Sequence, residues 1–146
     1  MDQKAKAVVL HCMDFPIIHA VVHFLKDQGY RERYDDISVA GAAKTLADPY
    51  DPIDTEFVYR QIQFARKLHG VQDILLINHT ACSAYGGHRD FQSIEEERAR
   101  HTKDLRRAQE MIRHHFGDEQ LVVQLVLAEP KEDGSFAFTL IDELPA

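Results

Sequence analysis

Two continuous apolar runs, each closed by a cysteine, constrain this chain more than any other feature. Ala7-Val8-Val9-Leu10-His11 leads into Cys12, and Ile74-Leu75-Leu76-Ile77-Asn78-His79-Thr80-Ala81 leads into Cys82. Runs that are apolar throughout, rather than alternating, read as strands buried on both faces, the condition of a parallel sheet. Parallel strands need long crossovers, and the chain carries helical patterns to make them. Strand signals fall at residues 6–12, 37–40, 71–78, 121–127 and 136–141. Helical patterns fall at residues 16–28, from Asp54 or Thr55 to Gly70, and at 93–116. Pro16 suits a first turn, and Gly29, Gly70 and Gly117 suit helix ends. Val58, Ile62 and Ala65 share one face, as do Leu105, Ala108, Ile112 and Phe116. Glu95, Glu96 and Glu97 read as a solvated first turn that complements the helix dipole. Residues 47–52 hold two prolines and read as loop.

The resulting order, βαβαβαββ, predicts an α/β fold and one domain over residues 1–146. Its sheet is expected to be mostly parallel, of order 2-1-3-4-5, with helices on both faces. The short connection across residues 130–134 makes the last strand antiparallel. In such sheets ligands bind beyond the carboxyl ends of the strands, where the order reverses. Here that place lies between strands 1 and 3, the two that end near Cys12 and Cys82.

The residues gathered there are Cys12-x-Asp14 and His79-x-x-Cys82. Two thiolates and an imidazole form the ligand set of a zinc site with one position to spare. A water in that position is acidified toward neutral pH and becomes a nucleophile for a small electrophilic carbon. Asp14 either accepts a hydrogen bond from that water or binds the metal itself and closes the site. It is also placed to cap the first helix. The plainer readings make Cys12 and Cys82 core residues or a redox pair. His19 and His23, four residues apart, either clamp a second metal or simply pack, and residues 85–87 form either a lid or a plain loop.

Composition narrows the partners. A 146-residue chain that is 45% hydrophobic can build a full core, and none of its apolar runs reaches membrane-spanning length. A formal charge of −7 argues against nucleic acid, which needs a basic face. The N-terminus lacks a signal-peptide pattern, so a cytoplasmic location is expected. In that compartment a cysteine pair is more often a ligand set than a structural bridge.

Cys12-x-Asp14 followed by His79-Thr80-Ala81-Cys82 resembles the β-class carbonic anhydrases, whose motifs are Cys-x-Asp-x-Arg and His-x-x-Cys. The likeness extends to Val39-Ala40-Gly41-Ala42, to the segment from Phe57 through Leu68-His69-Gly70-Val71 into His79, and to the terminal hairpin. It covers nearly the whole chain, apart from the N-terminal helical arm of larger members. The resemblance implies Zn2+ held by Cys12, His79 and Cys82, hydration of carbon dioxide to bicarbonate, and a homodimer or larger homo-oligomer. Three positions depart from the pattern. Pro16 stands where the family has the arginine that pairs with the aspartate and keeps it off the metal. Ser38-Val39 replaces Arg-Asn, and Ser83 replaces the glycine after the second cysteine. Asp14 is therefore expected to coordinate zinc at or below neutral pH unless Lys44, His88 or Arg89 stands in for the arginine. Two further readings follow. One is a hydrolase of another small electrophile, such as carbonyl sulfide or carbon disulfide, with an apolar mouth of Phe15, Pro16 and Val39. The other is a non-catalytic zinc protein closed by Asp14.

Overall fold

The computed structural model describes residues 4–141, so the ends of the expected 1–146 domain lie outside the described residues. Nine principal elements follow one another: β1 (Ala7–Cys12), α1 (Phe15–Asp27), β2 (Tyr34–Val39), α2 (Lys44–Ala47), α3 (Pro52–His69), β3 (Asp73–His79), α4 (Ile94–Phe116), β4 (Val122–Pro130) and β5 (Phe136–Ile141). They form a five-stranded sheet of order β2-β1-β3-β4-β5, parallel except for the β4–β5 pair. The order and the antiparallel last strand are those expected from the sequence.

Period-two geometry divides the strand side chains between two cores. Val8, Leu10, Ile74 and Leu76 pack with Val58 and Ile62 of α3 and with Leu105, Ala108 and Ile112 of α4. Val9, Leu75 and Ile77 pack on the opposite face with Ile17, Val21 and Leu25 of α1. Burial on both faces is why β1 and β3 read as unbroken apolar runs. Each large aliphatic side chain so buried contributes roughly 1.5–3 kcal/mol before entropic costs are counted.

Several local boundaries differ from expectation, each for a physical reason. β2 begins at Tyr34 rather than Ile37, because an edge strand tolerates Asp35 and Asp36. Their carboxylates pair with His69 at 2.7 Å and His11 at 2.6 Å. The short helix α2 was not expected, and only its last residue falls in the stretch 47–52 read as loop. Helix α3 starts at Pro52, with Asp51 rather than Asp54 or Thr55 as its cap, accepting from the Ile53 N–H at 2.9 Å. Proline at a first helical position loses nothing there. The largest departure is Glu97. It lies in the first turn of α4, but only 1% of its surface is exposed.

Candidate metal centre

β1 and β3 are neighbours, and the chain leaves both at the same edge of the sheet. Cys12 ends β1, His79 ends β3, and Cys82 follows after a two-residue turn. One donor atom from each of Cys12, Asp14, His79 and Cys82 lies within 4.8 Å of every other. The two Sγ atoms are 3.7 Å apart. Two bonds of ~2.3 Å at a tetrahedral angle span ~3.8 Å, so the thiols already stand at the separation zinc requires.

The imidazole is prepared in the same sense. His79 Nδ1 lies 2.8 Å from the carbonyl oxygen of Thr80 and donates to it. The proton therefore sits on Nδ1, which leaves the Nε2 lone pair free as a ligand. Nε2 is buried and has no hydrogen-bond partner, an unsatisfied atom that a metal would satisfy. The Cys12 thiol is pulled down in pKa, first by a hydrogen bond from Cys82 and further by His79 and the N–H groups of Gly41 and Asp14. Cys82 is pushed up by the same hydrogen bond and by burial. A metal bound there would displace the thiol protons. Gly41 approaches Cys12 Sγ to 3.4 Å through its N–H at a φ of 82°. A Cβ there would come within 2.9 Å of Lys44 Cβ. Only glycine makes that approach freely.

Asp14 occupies the N-cap position of α1, yet its side chain makes no capping bond. It turns across the site instead. Its Oδ2 accepts from the backbone N–H and from the hydroxyl of Ser83, each at 3.0 Å, and lies 3.8 Å from His79 Nε2. None of the three expected cations is recorded beside it. Lys44 donates to the backbone carbonyl of Asp48 at 2.7 Å, and His88 Nδ1 meets Glu97 at 2.6 Å. Arg89 is exposed. The partner is thus a neutral serine, at a position the sequence marked only as a missing glycine.

Behind the ligands stands a polar cluster that the sequence did not announce. Glu97 Oε2 accepts the N–H of Ala81 at 2.7 Å, and Ala81 holds a φ of 59° between the candidate ligands His79 and Cys82. A non-glycine residue there is strained, and the charge-assisted bond helps to fix it. Asn78 accepts from the Ala43 N–H at 3.0 Å and donates to His101 Nδ1 at 3.0 Å. Tyr85 donates to Asp104 at 2.7 Å and is only 7% exposed, so residues 85–87 are not a free lid. Burial drives the pKa of His101 down to about 4, against the opposing charge of Glu97. The signal available in the sequence was the spacing Glu97, His101, Asp104, which places three polar groups on the inward face of one helix. The other histidine pair, His19 and His23, is exposed on α1 with its Nε2 atoms 3.2 Å apart, outside the cluster. A cleft of about 280 Å³ opens beside the centre, lined in part by Met13, Val39, Ala40 and Phe57.

A family model described as "Putative carbonic anhydrase" matches residues 2–131. The chain belongs to this family. Among curated relatives, an uncharacterized protein of Rickettsia conorii is 25% identical over 116 residues, covering 77% of this chain and 62% of the relative. The chain thus spans less than two thirds of that relative's length. An uncharacterized protein of Rickettsia bellii is 24% identical over 116 residues, covering 77% of this chain and 71% of the relative. Among solved structures, the β-carbonic anhydrase CafD of Aspergillus fumigatus, in mutant form, superposes with a TM-score of 0.59 at 11% identity, covering 94% of this chain and 90% of that one. One of two tetrameric β-carbonic anhydrases of Sordaria macrospora gives 0.52 at 16%, covering 93% and 81%. These likenesses establish that the family fold is the β-carbonic-anhydrase fold. Among the described residues no helix is long and apolar enough to cross a membrane.

Proposed function

We propose that this chain is a zinc enzyme that interconverts carbon dioxide and bicarbonate. One observation carries the reading. Cys12, His79 and Cys82 converge with Asp14 within 4.8 Å, in a thiol and imidazole state ready for a metal, inside a carbonic anhydrase family fold. A zinc ion held there would supply Lewis acidity, bringing a water toward ionisation near neutral pH. The protein's own residues do the rest. Cys12, Cys82 and His79 Nε2 would hold the ion, and Thr80 fixes the His79 ring. Asp14, with Oδ2 engaged by Ser83, has Oδ1 to accept a proton of the reacting water and aim its lone pair. Met13, Val39 and Phe57 give the neighbouring cleft an apolar lining suited to a small uncharged substrate.

A second reading has its own observation. The 3.8 Å between Asp14 Oδ2 and His79 Nε2 is short enough for one ion to touch both, which would close the site. Elemental analysis and stopped-flow hydration separate the outcomes. Protein purified without chelator should carry one equivalent of zinc and should hydrate carbon dioxide, losing the activity on chelation and regaining it with zinc. Failure to take up zinc on reconstitution overturns both readings. Zinc bound without hydration at any pH leaves the closed, non-catalytic one.

We infer in addition that the chain forms a homo-oligomer. Ile53, Phe57, Phe64 and Leu68 recur along α3, all close to half exposed or more. A stripe of that size on one helix is usually covered. Sedimentation at micromolar concentration tests it, and a monomer would overturn it.

A further inference from the structure

We infer that Ser83 is the positioning residue that keeps Asp14 from closing the metal centre, in the place of an arginine. The inference deepens the proposed function and rests on a metal being held by Cys12, His79 and Cys82. Three observations support it. Asp14 stands where a helix cap stands, and an aspartate there ordinarily accepts from the next turn's N–H groups. Its side chain makes no such bond. Both Ser83 donors, the backbone N–H and the hydroxyl, go to the same oxygen, Oδ2, at 3.0 Å each. That oxygen is also the one 3.8 Å from His79 Nε2, where coordination would occur.

A carboxylate oxygen offers two lone pairs. Ser83 takes both of those on Oδ2, so coordination through it must break a hydrogen bond to a charged acceptor. Such bonds are among the stronger ones in proteins. The backbone donor would be present with any residue at position 83. The hydroxyl is specific to serine or threonine. Two departures in the sequence are thereby linked: Pro16, which removes a cationic partner, and Ser83, which adds a neutral one.

The test uses protein loaded with cobalt(II), whose visible spectrum reports coordination number and exchange of the fourth ligand. Azide is the probe anion. Wild type should show one equivalent of cobalt and a spectrum that shifts as azide binds. Ser83→Ala should bind cobalt equally but require at least about tenfold more azide, the order of one hydrogen bond to a charged group. Ser83→Thr should restore the wild-type response. Ser83→Ala combined with Asp14→Asn should restore it too, because the competing carboxylate is gone, and that recovery shows the site still folds. A wild type whose spectrum ignores azide overturns the inference, as does a Ser83→Ala variant with the wild-type azide affinity. Azide behaviour as expected without carbon dioxide hydration would sink the proposed activity and leave the role of Ser83 standing. Failure of the wild type to bind cobalt would sink both.

Discussion

The two strand ends that supply the candidate ligands are built to different standards. After His79 the chain turns through Thr80 and Ala81 to Cys82, and a buried carboxylate from α4 grips that turn. Asn78, just before it, ties into His101 and Ala43. After Cys12 the chain runs through Met13, 59% exposed, to Asp14, whose recorded side-chain hydrogen bonds both go to Ser83. One end is braced from behind by a packed polar layer. At the other, backbone N–H groups of Gly41 and Asp14 meet the Cys12 thiol, while the Asp14 carboxylate has its hydrogen bonds to Ser83 alone among the described residues. The difference separates two tasks. Holding a metal needs ligands that cannot move, and orienting supporting groups commonly cost 10–100-fold in affinity when removed. Controlling access to a fourth position needs a group that can be shifted by one hydrogen bond.

This contrast predicts an ordered series of effects on the metal. The largest is Cys82→Ser, which removes a thiolate at the braced end. It should abolish stoichiometric zinc and lower thermal stability, since metal affinity is coupled to folding. Dialysis against zinc followed by elemental analysis, with a melting curve, checks both. A Cys82→Ser protein that kept a full equivalent of zinc would dissolve the contrast at its root.

Glu97→Gln comes next. The amide retains the shape but loses the charge that meets the Ala81 N–H and His88. Zinc affinity should fall by roughly 10–100-fold, as for other groups that orient ligands. Stability should drop by about 1–3 kcal/mol, the cost of weakening a buried charged bond. A competition titration with a chromophoric chelator reads the first, and urea unfolding the second. Unchanged affinity would mean that the turn is held by its own backbone alone.

The polar layer also has a pH signature. Burial lowers the pKa of His101 from 6.5 to about 4, so the folded protein resists protonating it. The unfolded chain takes the proton first. Stability from this group is therefore complete above pH 6.5 and is lost as pH falls from 6.5 to about 4, with no further loss from it below that. The integrated loss is roughly 3 kcal/mol. His101→Gln should flatten that part of the curve, measured as urea midpoints at pH 7 and pH 4.5. Parallel acid profiles for the two proteins would refute the claim.

How much of this was readable beforehand follows the same division. The sheet order and the place of the site were legible, because continuous apolar runs and the cysteines that end them are local signals. The four residues that the fold clusters were legible for the same reason. The brace was not. Glu97 belongs to a run of three acids, and a run of acids at a helix start reads as solvent-facing until tertiary packing turns one of them inward. Asp14's partner was not legible either. Lys44, His88 and Arg89 were the expected cations because they lie on loops near the site, but Lys44 is drawn to Asp48 and His88 to Glu97. A neutral serine 69 positions away could be identified only from the fold.

The smallest effect on the metal, and the most informative about chemistry, belongs to Asp14→Asn at the lightly held end. The ligands Cys12, His79 and Cys82 remain, so zinc affinity should change by less than the ~10-fold that loss of an orienting group costs. In the open reading, however, the carboxylate accepts a hydrogen bond from the reacting water, and loss of such a group typically slows a reaction by about 10²–10⁴-fold. Hydration should therefore fall across the pH range while zinc stays bound. The closed reading predicts the reverse near neutrality, because removing a carboxylate that blocks the fourth position would raise the rate. Zinc content and stopped-flow rates on the same preparations, from pH 6.5 to 9, decide the matter. A faster Asp14→Asn enzyme at neutral pH would show that Asp14 acts as a blocking ligand, despite its two hydrogen bonds to Ser83.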